Sequence, residues 1–107
     1  MKLLVVRFTR ELPHDDPDVA AAFDGAAHKL AELPGLVWKL WAYEDSEHNC
    51  TSIYLFDSEE NARAWAEGPL RPALGSNPGV DNIEWQYYDV DEHLSAITHT
   101  PLVAAHA

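Results

Sequence analysis

Strand-like and helix-like patterns of apolar residues alternate along this chain of 107 residues. Residues 2–9 mix β-branched and apolar side chains, which predicts a strand covered on both sides. Two runs with aromatic residues at alternate positions, 36–44 and 51–56, flank the short acidic loop 45–49 and predict a β-hairpin. A last strand is predicted over 80–90, where aromatic and polar residues alternate.

Two helices are predicted between these strands. The first carries one apolar stripe at helical spacing, made of Val19, Phe23, Ala26, Leu30 and Leu33. Asp16 can cap this helix, and Pro34-Gly35 is expected to close it. Ser58 can cap the second helix, whose buried stripe contains Ala62, Trp65 and Ala66. Gly68-Pro69 breaks that helix, and residues 70–74 can add a short further turn.

The order β-α-β-β-α-β is the ferredoxin-like arrangement of the α+β class, with a four-stranded antiparallel sheet and two main helices on one face. The other face would leave aromatic residues on alternate positions of two strands exposed. A second subunit, packed sheet against sheet, is the simplest cover, so we predict a homodimer. We expect one domain, 1–107, in which residues 91–107 form a tail. Apolar residues can anchor this tail, and the partner subunit is one surface on which it can pack.

The formal net charge of −11 at pH 7 bears on the class of partner. Such a charge repels phosphate backbones, so we expect no nucleic-acid binding. No apolar run approaches the roughly 18 residues that cross a bilayer, and Arg7 interrupts the first run before a signal peptide could form. With one cysteine, Cys50, no CxxC motif and no metal-ligand spacing, we expect a cytoplasmic protein without membrane association or bound metal.

The hairpin region resembles the YdhR-like monooxygenases, a branch of the dimeric α/β-barrel superfamily. The most specific part of this resemblance is the run Pro34-Gly35-Leu36-Val37-Trp38-Lys39-Leu40-Trp41. Supporting segments lie at 53–56, 62–65, 79–80, 88–90 and 94–97. In order and spacing, the resemblance extends from about residue 4 to residue 97.

The resemblance implies a dimer of ferredoxin-like subunits, with a substrate pocket between each sheet and its helices. It also implies an oxygenase that uses no metal or flavin, so no cofactor is expected. Relatives in the superfamily include cyclases, isomerases and dehydratases, and the fold therefore leaves the reaction open.

Aromatic side chains are the candidates for the walls of such a pocket. They are Trp38, Trp41, Tyr54, Trp65 and Tyr87. Because aromatic residues also dominate cores and interfaces, each of these can instead be structural, whereas a subset would suit a flat, apolar substrate. Trp38 and Trp41 are three residues apart and point to opposite faces of a strand, so they cannot line one cavity unless a bulge intervenes.

Lys39 is the most informative polar candidate, because it lies between two tryptophans in an apolar strand. A partly desolvated ammonium there could hold an enolate or phenolate oxygen by its charge. Its stem could equally pack on the sheet with the charge in water. Glu44, at the end of the second strand, is a candidate base if it is buried, and Tyr54 is a candidate proton carrier.

These residues support three alternative functions. The favoured one is a cofactor-independent monooxygenase that uses O₂ on a small aromatic or enolisable, polyketide-like substrate. A cyclase, isomerase or dehydratase could use the same pocket, with Lys39, Glu44 or Tyr54 as proton carriers. A non-catalytic dimer that binds a small ligand is the third. In each case we expect the ligand between the helices and the sheet, near Trp65 and Tyr54.

Overall fold

The computed structural model describes residues 1–103, which form a four-stranded antiparallel sheet and four α-helices. Their bounds are Lys2–Arg10 (β1), Pro17–Leu30 (α1), Leu36–Glu44 (β2), Asn49–Phe56 (β3), Glu59–Ala66 (α2), Leu70–Gly75 (α3), Val80–Asp89 (β4) and Glu92–Ile97 (α4). The strand order is β2-β3-β1-β4 with every neighbouring pair antiparallel, which confirms the predicted ferredoxin-like arrangement. None of the helices in the described residues is long and apolar enough to cross a membrane.

The two faces of the sheet differ in what covers them. On the inner face, helices pack over a core that includes Leu4, which lies opposite Tyr54 in β3 and Tyr87 in β4. On the outer face, Leu40 of β2 and Tyr88 of β4 are exposed, each at a position that alternates with inner-face neighbours. In a single subunit, the outer face therefore keeps large apolar side chains in contact with water.

Helix α1 begins where the sequence predicts and ends earlier. The side chain of Asp16 accepts hydrogen bonds from two backbone N–H groups of the first turn. The regular helix stops at Leu30 rather than at Pro34-Gly35, so that part of the prediction was wrong. Its continuation is a tighter turn, in which the backbone N–H of Leu33 donates to the carbonyl of Leu30, three residues back, at 3.0 Å.

Gly35 holds the loop before β2 against the start of α2. Its φ of +77° lies in the left-handed region, and an added Cβ would collide with the side chains of Asn61 and Asp57. The backbone N–H of Asp57 donates to the Gly35 carbonyl at 2.8 Å. This contact sets how closely α2 approaches β2, the two elements that carry Trp65 and Lys39.

The tail contains a helix that the sequence analysis did not predict. Asp91 caps α4 by accepting a hydrogen bond from the backbone N–H of Leu94 at 2.9 Å. Beyond α4, the chain returns to β2, where Trp38 Nε1 donates to the carbonyl of Pro101 at 2.9 Å. The tail is thus bonded to its own subunit at Pro101, and residues 104–107 of the predicted tail lie outside the described part of the chain.

Candidate functional site

A cavity of about 210 Å³, open to solvent on one side, lies between the inner face of the sheet and the first three helices. Its walls are almost entirely apolar and aromatic. Among the side chains that line this cavity, called here the Lys39 cavity, are Phe23 and Leu30 (α1), Lys39 and Trp41 (β2), Tyr54 (β3), Trp65 (α2), and Leu70 and Leu74 (α3). Three of the predicted pocket aromatics, Trp41, Tyr54 and Trp65, therefore meet here with Lys39.

Lys39 is a partly buried amine beside two aromatic rings. Its Nζ lies 3.2 Å from the ring centroid of Trp41 and 4.6 Å from that of Tyr54. Among residues 1–103, no carboxylate lines the cavity, and the other titratable groups on its walls are Lys29 and Tyr54. Burial lowers the pKa of Lys39 from 10.5 to about 7, because the charged form loses contact with water. Near neutral pH, this amine is therefore divided between its charged and uncharged forms.

Tyr54 contributes a hydroxyl that keeps its proton. The side chain is buried, and burial raises the pKa of Tyr54 from 10.0 to about 12, with the nearby Trp65 indole opposing part of the rise. The rings of Tyr54 and Trp65 lie 6.4 Å apart between centroids. At neutral pH, Tyr54 can act as a hydrogen-bond donor and is a poor base.

Trp65 carries a polar atom without a partner. Within residues 1–103, its Nε1 is a buried side-chain nitrogen that completes no hydrogen bond, although Tyr54 lies close by. An unsatisfied buried donor costs about 1–3 kcal/mol, so an oxygen atom of a bound molecule would be a favourable partner. Trp65 also borders a second depression with Pro34 and Asn61. It is therefore less tightly enclosed than a residue of the central core.

Two predicted site residues of β2 lie apart from the Lys39 cavity. Trp38 lies opposite Leu55 on the outer side of the sheet, where its indole is bonded to the tail, and it borders a depression at the edge of β2 that Lys39 and Trp41 also line. Glu44 is exposed at the end of the strand and accepts a hydrogen bond from the hydroxyl of Ser46. Neither Trp38 nor Glu44 is among the residues that line the Lys39 cavity.

Tyr87 also lies outside the walls of this cavity. Its hydroxyl donates to a carboxylate oxygen of Glu67 at 2.7 Å, at the end of α2. The guanidinium of Arg63 lies over its ring, 4.5 Å from the centroid. These contacts, together with its packing against the core, account for the residue without a ligand.

Helix α3 confirms the short further turn predicted over residues 70–74. Its contribution to the cavity was not predicted: Leu70 and Leu74, four residues apart, close one wall. Asn77, which follows α3, also lines the cavity and donates from Nδ2 to the carbonyl of Leu74 at 3.1 Å. The four-residue spacing of Leu70 and Leu74 was the sequence signal for this apolar face of the helix.

A second cavity of about 220 Å³ adjoins the first at the rings of Phe23 and Trp41, which line both. It contains Arg10 and is called here the Arg10 cavity. The guanidinium of Arg10 lies 5.4 Å from the ring centroid of Phe23, and its Nε donates to the carbonyl of Leu12 at 2.9 Å. In the described residues, no group of three His, Cys, Asp or Glu side chains is placed to hold a metal ion.

Residues 3–101 match the protein family described as "Putative mono-oxygenase ydhR". The chain belongs to this family. The match confirms the resemblance seen in the hairpin region, and it covers nearly the whole described structure. Membership in the ydhR family supports the assignment of the chain as an enzyme of the monooxygenase type.

Solved structures similar to this ydhR-family chain have the same fold. One, a putative antibiotic biosynthesis monooxygenase from Deinococcus radiodurans, is 12% identical with a TM-score of 0.65, over 84% of this chain and 92% of its own. SnoaB, a cofactor-independent oxygenase from Streptomyces nogalater, is 20% identical with a TM-score of 0.62, over 83% and 91%. MhuD, a heme-degrader from Mycobacterium tuberculosis, is 19% identical with a TM-score of 0.59, over 83% and 95%. At these identities the likeness shows the fold alone, and no curated protein matches the sequence.

Proposed function

We propose that this chain is a cofactor-independent monooxygenase that acts on a small aromatic or enolisable, polyketide-like substrate in the Lys39 cavity. The observation that carries the proposal is the placement of one partly buried amine in a cavity walled by aromatic rings, with no carboxylate of residues 1–103 among the lining side chains. An apolar cavity with a few convergent polar groups is the usual form of a small-molecule site. The size of the cavity suits a compact, flat molecule.

Lys39 can perform two successive tasks in this reaction. As a neutral amine, it accepts the proton of a phenol or enol, and the resulting ammonium then holds the oxyanion. The anion transfers one electron to O₂, and the substrate radical and superoxide combine to form a carbon–oxygen bond. The ammonium of Lys39 returns its proton to the resulting peroxide anion, and loss of water from the hydroperoxide leaves a quinone, so that one oxygen atom of O₂ enters the product and the other becomes water.

Tyr54 and Trp65 complete the proposed site as neutral donors. The hydroxyl of Tyr54 keeps its proton at neutral pH, and the indole N–H of Trp65 is buried without a partner. Both can donate to substrate oxygens without competing with Lys39 for a proton. The surrounding apolar side chains exclude water, which strengthens these interactions.

We also propose that the protein works as a homodimer formed through the outer face of the sheet. Leu40 and Tyr88 on the strands and Leu94 and Ile97 on α4 are exposed in the single subunit. Burial of such residues against a second copy would remove a large apolar surface from water.

Oxygen uptake tests the proposed reaction. Metal-free protein is mixed with a panel of hydroquinone-like and polyketide-like phenols, and consumption of O₂ is followed with product analysis. We expect uptake with at least one compact phenol, loss of uptake in Lys39→Met, and retained uptake in Lys2→Met, which alters a lysine outside the cavity. Absence of uptake across a broad panel would contradict the oxygenase.

Turnover without oxygen distinguishes the rival enzyme classes. A cyclase, isomerase or dehydratase would use Lys39 and Tyr54 only to move protons, and its reaction would continue under strictly anaerobic conditions. A binding protein would retain its ligand unchanged in both atmospheres. Only the oxygenase requires O₂ for conversion.

A further inference from the structure

The chain has three lysines, Lys2, Lys29 and Lys39, and the structure gives them different surroundings. Lys2 bridges Glu59 at 2.8 Å and Asp89 at 2.6 Å, so its ammonium is held by two carboxylates. Lys29 lies on α1 at the rim of the Lys39 cavity and is exposed. Of the three, only Lys39 lies among apolar walls on which the described part of the chain places no carboxylate.

We propose that Lys39 captures carbonyl compounds covalently, as an imine formed inside the cavity. The inference rests on the cavity of the proposed function but not on its oxygen chemistry. The ligand class is a compact aromatic aldehyde or aromatic 1,3-diketone, in which a flat ring carries the carbonyl group.

The surroundings of Lys39 favour this reaction over simple ion pairing. Only an uncharged amine attacks a carbonyl carbon, and burial lowers the pKa of Lys39 to about 7, which leaves much of it uncharged in neutral solution. The Nζ lies over the ring of Trp41 rather than against a side chain that would compete for its lone pair. A desolvated lysine in an apolar pocket is a known way to make this nucleophile.

Imine formation between Lys39 and the carbonyl compound needs no further reactant. The lone pair of Nζ forms a carbon–nitrogen bond while the carbonyl π bond breaks, which gives a carbinolamine. The nitrogen loses its two protons, the former carbonyl oxygen receives them, and this oxygen leaves as water through the open side of the cavity. Nothing is oxidised or reduced, and hydrolysis by the reverse path releases the ligand.

The cavity limits the size and shape of the carbonyl compound. An apolar cavity of ~150 Å³ accepts benzene in another protein. The Lys39 cavity, at about 210 Å³, has room for one ring with a short carbonyl arm. The rings of Trp41, Tyr54 and Trp65 offer flat surfaces to such a molecule.

Reductive trapping under anaerobic conditions tests the inference. The full chain is incubated with benzaldehyde, or separately with 1-phenylbutane-1,3-dione, in the presence of cyanoborohydride, and peptides are mapped by mass spectrometry. Among the lysines, we expect the adduct at Lys39 to form faster than at Lys29 or Lys2 by about tenfold or more, since burial lowers the pKa of Lys39 to about 7 and each unit of lowering raises the uncharged fraction about tenfold. Equal labelling of the three lysines, or an unlabelled Lys39, would overturn the proposal.

Variants provide a second readout. Lys39→Arg keeps a positive charge but cannot form an imine, so the fast adduct should disappear, whereas Lys2→Arg should keep it. The labelling rates measured on the wild-type protein test the proposal even if Lys39→Arg folds poorly, because the three lysines are compared within one molecule. Trapping without O₂ uptake supports this inference and counts against the oxygenase; uptake without trapping overturns the inference alone.

Discussion

Phe23 of α1 and Trp41 of β2 meet edge to face, with ring centroids 5.9 Å apart and ring planes at 85°. The two rings stand between the Lys39 cavity and the Arg10 cavity, and both cavities use them as a wall. Edge-to-face pairs of this kind contribute about 0.5–1.5 kcal/mol beyond the area they bury. This pair therefore limits how far a ligand can extend from Lys39 toward the hairpin.

Removal of the Trp41 ring should join the two cavities. In Trp41→Ala, we expect affinity for 4-phenylphenol to rise about tenfold relative to that for phenol, a change of ~1.4 kcal/mol, because the longer ligand can extend toward Arg10. Trp41→Phe, which retains a ring, should keep the original preference. Calorimetric titration gives the ratio of the affinities for 4-phenylphenol and phenol. If Trp41→Ala leaves this ratio unchanged, the Phe23–Trp41 pair does not limit ligand length.

Trp65→Ala separates a role in the ligand site from a role in the core. If Trp65 is a cavity wall, the variant should fold and lose about 1–3 kcal/mol of ligand affinity, while losing less stability than the ~3–5 kcal/mol of a core tryptophan. Trp85→Ala is the matched control, because Trp85 is half-buried against the core and does not line the Lys39 cavity. It should lose stability with unchanged affinity. A loss of stability in Trp65→Ala as large as that of a core tryptophan, with unchanged ligand affinity, would identify Trp65 as a core residue.

Lys39→Met should stabilise the protein in a pH-dependent way. The folded pKa of Lys39 is lowered from 10.5 to about 7, so in that window the unfolded state binds more protons and wild-type stability rises with pH. The variant should be more stable than wild type by about 1–4 kcal/mol at pH 7 and below, and this difference should shrink as the pH rises toward 10.5. Urea unfolding of both proteins at one concentration, between pH 6.5 and 9, measures it. If the difference in the free energy of unfolding between Lys39→Met and wild type does not change with pH, Lys39 is not desolvated in the folded protein.

A charge on the outer face of the sheet should separate the proposed dimer. We expect Leu40→Glu to convert the dimer to a monomer, because an interfacial carboxylate would be buried without a partner. Leu12→Glu is the control, since Leu12 is also exposed but lies in the loop before α1. Light scattering at micromolar concentration gives the mass of each. A monomeric wild type would refute the dimer directly.

The inner face of the sheet could be predicted from alternation in the sequence, because its signal is local. Residues two apart in a strand share a face, and Lys39 and Trp41 do so here. Both helix caps, Asp16 and Ser58, were likewise predicted from residue type and position, and each accepts backbone hydrogen bonds in the first turn of its helix.

The parts that were missed depend on short segments or on distant contacts. Helix α4 has six residues, too few for an apolar period, and its local signal was the cap residue Asp91. The separation of Tyr87 from the cavity depends on its bond to Glu67, twenty residues away in sequence. The closing of the cavity by Leu70 and Leu74 depends on how α3 folds back after the break at Gly68-Pro69, which no local pattern specifies.

The net charge of −11 has a kinetic consequence for a site whose amine is buried. An acidic surface slows the approach of anions at low ionic strength, whereas an uncharged phenol or diketone meets no such barrier. The negative charge that the proposed reaction needs would arise only after entry, when Lys39 accepts the proton. The rate of encounter with substrate should then change little with added salt, even though every later step takes place beside a charge.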